Sequence, residues 1–295
     1  MFRATAPLSR TVPATADAVA GTVPRLLRAG WYRPTDQGGL RGAPRPAVQE
    51  VHRRTAELYG TRVLREGFTD SPLRPMPRLA AGALDALGPL APAEVPQVAV
   101  LAYTTPDFEH TTLTASLLQH RLPGEPLCFA VSDQGVLAPF TALRIAVEYA
   151  RRSHWSRLLL VVVDQSSQPY PGPASGQYAA EHDSAVALLL AWDGGAAPVA
   201  GMGQGRADQA LPGLRSDLSG AALLAAGTGL ATGPGLAPSP GTRRRDAEPG
   251  LPCTGVWAAL REAPGGRAVI ADHDHELDRL AHCTLELPAG EGGVR

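Results

Sequence analysis

The chain has 295 residues, 44% of them hydrophobic, which is enough for a full-sized core, and 27 basic against 28 acidic residues leave it near neutrality. That balance leaves no basic stripe for nucleic acid or an anionic membrane surface, and no apolar run reaches the roughly 20 residues of a membrane-spanning helix. The cysteines Cys128, Cys253 and Cys283 are too few and too irregularly spaced for a disulfide framework or a structural zinc site.

The N-terminus, MFRATAPLSRTVPATADAVAG, lacks the continuous apolar region of a secretory signal, so a cytoplasmic protein is expected. Helices are expected over Ala14–Arg28, over Ala47–Glu66, where Val48, Val51, Ala56, Leu58 and Val63 follow the helical period, and over Met76–Leu87. PLAPAEVP breaks the chain before Val98–Pro106, a buried strand ending in a turn. Thr111–His120 reads as a short helix and Cys128–Ser132 as a second strand. Leu137–Arg152 is a helix with Leu137, Phe140, Leu143, Ala146, Val147 and Ala150 on one face. RLLLVVVDQSS (Arg157–Ser167) is apolar without alternation, as a strand of a parallel sheet is. His182–Trp192 is another buried strand.

The tail echoes this unit. Pro252–Ala263 is a turn and short helix, Gly266–Asp274 a strand that ends in an acid as LLLVVVDQ does, and Ala281–Pro288 a final strand. Such a duplication implies two similar halves around one layered core. Between them lies Asp208–Gly250, rich in Gly, Ala and Pro, with a short helix expected near Gly220–Ala226 and GTGLATGPGLAPSPGTRRRDAEPG (Gly227–Gly250) reading as an extended loop. Arg243–Arg245 is expected in that loop as a solvated charge run.

Two absences restrict the chemistry. Every basic residue is arginine and the sequence holds no asparagine, a composition that suggests a GC-rich, actinobacterial genome. Schiff-base and P-loop lysines are therefore excluded, as is any site built on an asparagine side chain.

The ordered series LAYTTPD (Leu101–Asp107), FAVSDQGVLAPFTALRIA (Phe129–Ala146), RLLLVVVDQSS and HDSAVALLL (His182–Leu190) resembles the thiolase-like superfamily, in its β-ketoacyl-acyl-carrier-protein synthase III branch. The tail, CTGVWAAL, RAVIADHD and CTLEL, is similar to the end of that family's second half. The resemblance implies an α/β, layered αβαβα, duplicated fold, here with a shortened C-terminal half, as one domain over residues 1–295. Its parts would be an N-terminal segment and first half over 1–207, the Gly/Pro-rich loop region 208–250, and the remainder of the second half over 251–295. It also implies a dimer acting on acyl-CoA or acyl carrier protein, with a nucleophilic cysteine on the turn opening a buried helix, and a histidine and an asparagine from the second half.

This chain departs at each catalytic position. The cysteine position falls on Val136, or on Gly135 if the alignment slips by one residue; there is no asparagine, and residues 208–250 contain no histidine. The resemblance therefore implies a degenerate ketosynthase without condensing activity: a chain-length-factor-like partner in fatty-acid, polyketide or secondary-metabolite biosynthesis. It would form a homodimer, or a heterodimer with an active ketosynthase, with no cofactor and no metal. Alternatives are an acyltransferase or thioester hydrolase with a rebuilt site, and a binder of acyl chains or carrier protein.

Candidates for a rebuilt site are few. Gln134 is similar in place to the glutamine that chain-length factors carry, and its bland reading is a hydrogen bond to the turn backbone. Ser132 and Asp133 suggest a serine nucleophile, without a histidine nearby in sequence to act as base. Strand alternation would put His273 and His275 on one side, with Asp274 and Glu276 between and beyond them. This cluster is metal-ligand material lacking a third ligand, a relocated acid–base group, or a solvated strand end. His182 and Asp183 are expected to be structural, and Cys128 to point into the core.

Overall fold

The computed structural model describes residues 23–35, 46–58, 60–64, 73–109, 112–167, 170, 176–195, 197–232, 236 and 238–288. Ten strands form one mixed sheet: β1 (Arg25–Tyr32), β2 (Val98–Tyr103), β3 (Leu127–Val131), β4 (Arg157–Asp164), β5 (Ser184–Ala191), β6 (Ala197–Arg206), β7 (Leu223–Ala226), β8 (Arg243–Asp246), β9 (Gly266–Asp274) and β10 (Arg279–Leu287). The described α-helices are α1 (Pro46–Leu58), α2 (Met76–Leu87), α3 (Thr114–Arg121), α4 (Ala138–Ser153), α5 (Ala207–Leu218), α6 (Thr228–Thr232) and α7 (Gly255–Ala258), the last continued by a 3₁₀ turn over Ala259–Glu262.

The strand order is β3-β2-β4-β5-β1-β6-β10-β9-β7-β8, which reads as the same five-strand pattern from either end. β2 lies parallel to β3 and β4, as β7 does to β8 and β9. β5 and β10 are the antiparallel partners of β4 and β9. The halves meet where β1 pairs with β6 over Arg25–Pro198 and Leu26–Ala197.

Alternation along the strands sorts the core into layers. Leu158, Leu160 and Val162 of β4 and Ala268 and Ile270 of β9 face a shared interior that also holds α4 and α7. Leu159, Val161 and Val163 face α2 and α3, while Val269 and Ala271 face α5 and α6. The result is an αβαβα sandwich. β4 is apolar from Leu158 to Val163 because helices cover both of its faces, although only one of its neighbours is parallel.

Several expectations are corrected. The described part of Ala14–Arg28 is strand, not helix, because Arg25–Tyr32 is held in the sheet between β5 and β6. A side chain at Gly30 would collide with the α2 backbone, so the glycine sets that helix's approach. Residues 14–22 and 65–66 lie outside the described residues, and the helix expected to reach Glu66 ends at Leu58.

The region 208–250 is more structured than expected, its last part, 227–250, carrying a helix and a strand among its described residues rather than one extended loop. It supplies α5, β7, α6 and β8, and the helix expected near Gly220–Ala226 is the buried strand β7. Arg243–Arg245 lies in β8, an edge strand, and not in a solvated loop. Strand β6 has no counterpart in the sequence reading. Its Gly201, Gly203 and Gly205 alternate along the strand, and Gly203 leaves room for the His282 ring.

Candidate functional site

The strand order brings the C-terminal ends of β2, β4, β7 and β9 together, where α4, α6 and α7 begin. Open α/β sheets bind ligands at such strand ends. The turn anticipated from VSDQGVLAPF is there. Asp133 and Gly135 take positive φ, 58° and 51°, and Val136 is wholly buried. Ser132 Oγ donates to Asp133 Oδ2 at 3.0 Å, and Gln134 Nε2 donates to the Asp133 carbonyl at 3.0 Å.

What fills the turn comes from the other half. Asp274, at the end of β9, accepts from Val136 N–H at 3.3 Å through Oδ2. Its Oδ1 accepts from the Tyr178 hydroxyl at 2.6 Å and from Leu277 N–H at 2.9 Å. A Cβ on Gly135 would overlap this carboxylate and the Tyr178 ring, so glycine is what admits both.

The relationship is mirrored. Asp164, at the end of β4, accepts from the backbone N–H of Cys253 (3.0 Å) and Thr254 (2.7 Å) and from Thr254 Oγ1 (2.6 Å), where α7 opens in the second half. Gly135-Val136 and Gly255-Val256 are counterparts in the duplication, so each half's strand-end aspartate seats in the other half's helix-opening turn. Thr104 joins the turns, with Oγ1 donating to the Gly135 carbonyl at 3.2 Å and lying 2.7 Å from Cys253 Sγ.

Asp272 is a third buried carboxyl of this cluster, bonded within its own half. Its Oδ1 accepts from Gly229 N–H at 3.0 Å, where α6 opens, and from His273 N–H at 2.8 Å, while its buried Oδ2 has no hydrogen-bond partner. Burial pushes Asp272 up to about 8 and Asp164 up to about 6, against an ordinary carboxylate value of 3.8. Burial, and then the Asp164 charge, push the Cys253 thiol well above its usual range, which removes the thiolate a nucleophile requires.

His273 and His275 do lie together, ring centroids 4.4 Å apart. Of the strand end, His273 is 8% exposed and Asp274 fully buried, while His275 and Glu276 beyond them are exposed as a solvated strand end has them. His275 Nε2 sits 2.9 Å from the Gly229 carbonyl. The Gln177 side chain bridges the pair, its Nε2 donating to the His273 carbonyl and its Oε1 accepting from His275 N–H at 3.2 Å. Burial, then His275, lowers the His273 pKa. Among the described residues no group of three or more His, Cys, Asp or Glu is placed to hold a metal.

Ser132 and Asp133 stand beside the turn with their side chains bonded to each other. Asp183 is a structural anchor, taking Arg74 at 3.2 Å and Ser166 N–H at 2.8 Å. Cys128 is half-buried on β3 and packs toward the outer helices. Sequence reading passed over Cys253, Asp164 and Asp272 as site residues. The repeated acid at the strand ends was the available signal, but nothing local indicated that Asp164 and Asp274 cross to the other half.

This architecture is that of the thiolase-like ketosynthases of type III. Among solved structures, the chain is similar to the acyltransferase ChlB3, at 14% identity and a TM-score of 0.59, over 90% of this chain and 98% of that one. It is similar to AbyA1, a tetronic acid condensing enzyme, at 13% identity and a TM-score of 0.57, over 89% and 99%. For 3-oxoacyl-(acyl carrier protein) synthase III, FabH, of Pseudomonas aeruginosa PAO1, the values are 18% identity and a TM-score of 0.55, over 90% and 98%. At such identities the likeness carries the fold alone. No protein-family model matches the sequence, nor does any curated protein. No helix among the described residues is long and apolar enough to cross a membrane.

Proposed function

We propose that this chain is a single-domain ketosynthase III-like protein that does not condense acyl groups and works as a chain-length-factor-like partner in fatty-acid, polyketide or secondary-metabolite biosynthesis. The observation that carries the reading is Asp274 seated on the Val136 turn. A condensing site needs a nucleophile there and backbone N–H groups free to stabilise an oxyanion. Here a valine holds the position, and the buried carboxylate that binds Val136 N–H would repel developing negative charge.

The partner surface is the edge strand β3. Its sequence, LCFAV, carries no charge and no proline, Leu127 is 39% exposed, and half-buried Phe129 packs on the exposed Tyr149 ring at 5.5 Å. An unprotected apolar edge is a template for another strand. Its counterpart β8 reads RRRD and is closed to such pairing by its charges, Arg245 being paired with Glu262 at 2.7 Å. A second copy or an active ketosynthase, loaded from acyl-CoA or acyl carrier protein, fits β3.

The test has two arms. Intact-mass measurement after incubation with acyl-CoA and acyl-carrier thioesters is expected to show no adduct and no thioester loss. Turnover abolished by His273→Ala would instead establish the acyltransferase or hydrolase reading. Co-purification with a pathway ketosynthase is expected to give a complex that alters its product length; no association and an unchanged product would overturn the partner role.

A further inference from the structure

The sulfur atoms of this chain are unequally placed. Cys253 and Cys283 are buried and Cys128 is half-buried. Burial pushes the Cys128 thiol up to about 11 and the Cys283 thiol up to about 12, and it raises Cys253 well above its usual range. Cysteine oxidises through its thiolate, so all three react slowly near neutral pH. A thioether needs no ionisation, and access to solvent governs its oxidation. Of the described methionines, Met76 is 1% exposed in the packing of α2, whereas Met202 is 36% exposed.

Met202 owes its exposure to the way the halves meet. β1 pairs with β6 at Ala197 and Pro198, so Met202, further along β6, has no strand beside it on that side among the described residues. On the other side its register partner is Cys283 of β10, and cross-strand partners face the same way. Both line a recess of about 10 Å³ between α4 and the sheet, walled by buried Phe140 and Leu143 and by exposed Arg144. Such a recess is close to the size that admits one water molecule, and so one added oxygen. Beside it, Gln204 Nε2 of β6 donates to Thr141 Oγ1 of α4 at 2.8 Å, which ties the strand to the helix.

We propose that Met202 is a site of reversible oxidation by hydroperoxides, reacting ahead of every cysteine, and that its sulfoxide loosens α4 from β6. In the forward step the thioether sulfur attacks the peroxide. The O–O bond breaks, an S–O bond forms, and the hydroxyl proton passes to the departing oxygen, which leaves as water or an alcohol. The sulfur is oxidised by two electrons and the peroxide is reduced by two. In the reverse step a dithiol reduces the sulfoxide to the thioether, with a disulfide and water as the other products. The added oxygen is a strong acceptor set against Phe140 and Leu143, whose side chains cannot donate to it. Arg144 offers N–H groups from a solvent-exposed arm, which offset part of that cost. The site uses neither the Val136 turn nor β3, so its failure would leave the partner reading untouched.

Peptide mapping by mass spectrometry tests the order of reaction, after the full chain is treated with hydrogen peroxide near neutral pH and its free thiols are blocked. Met202 is expected to gain one oxygen at least about tenfold faster than Met76 or any of the three cysteines. The melting temperature of the treated chain is expected to drop by about 2–4 °C. Mass and melting temperature should both return after treatment with methionine sulfoxide reductase and dithiothreitol. Met202→Leu, close in volume, should melt like the parent before peroxide and show no drop after it. A cysteine that reacts as fast as Met202, or Met202 no faster than Met76, overturns the site. An unchanged melting temperature after oxidation, a drop that reduction leaves in place, or one that persists in Met202→Leu overturns the link to α4.

Discussion

Gly135 shows how much a single side chain is worth at the turn. Its φ of 51° and the Asp274 carboxylate against its Cα leave no place for a methyl group. Gly135→Ala is expected to lower stability by about 2 kcal/mol or more in denaturant titration, with Gly60→Ala, a positive-φ glycine in open space, costing less. Asp164 and Asp272 set a pH dependence. Both have folded-state pKa values, about 6 and about 8, above the ordinary 3.8, so the folded chain holds protons that the unfolded chain releases. Their contribution is fully present below about pH 4 and is lost as pH rises through about 6 and then about 8. Melting temperature is therefore expected to fall between pH 5 and pH 8.5, and Asp272→Asn to flatten the upper part of that fall. A melting temperature flat across the window would show that these carboxyls are not held protonated. The acids themselves were legible as strand ends in LLLVVVD and AVIADHD. Their partners were not, because a hydrogen bond spanning 138 positions, as from Val136 to Asp274, leaves no local pattern.

Elements with strong periodicity were legible and those without it were not. Met76–Leu87 and Gly266–Asp274 match the helix and strand expected of them residue for residue. The first has a helical apolar stripe; the second is apolar on both faces until its acidic end. By contrast β8 is four charged residues, readable as strand only from its pairing with β7. β6 alternates glycine under α5, and α5 carries Pro212 inside it, so composition there mimics a loop. On β3, Phe129→Lys is expected to remove self-association or ketosynthase binding in sedimentation velocity while leaving the melting temperature within a few degrees, since the position is only partly buried. Retained association would exclude β3 as the contact.

At the scale of the molecule, the duplicated halves share one interior but little backbone. Their strands pair across the middle at two positions, Arg25–Pro198 and Leu26–Ala197, while α4 and α7 touch through Phe140 and Trp257 at 5.1 Å between ring centroids. Packing therefore joins the halves, and thermal unfolding is expected as one transition. Trp257→Ala should cost about 3–5 kcal/mol without splitting it, whereas two resolved transitions would show halves that fold separately. The duplicated plan was legible from the repeated tail. The strands within 208–250 that complete it were hidden by their glycine, alanine and charge.

The unequal edges have a further consequence for stoichiometry. With β3 as the proposed partner surface and β8 closed by arginines, the sheet would have a valence of one. Such a molecule can terminate an assembly but cannot propagate it. Self-pairing and pairing with a related fold then become mutually exclusive, so the relative abundance of the two chains would decide which complex forms.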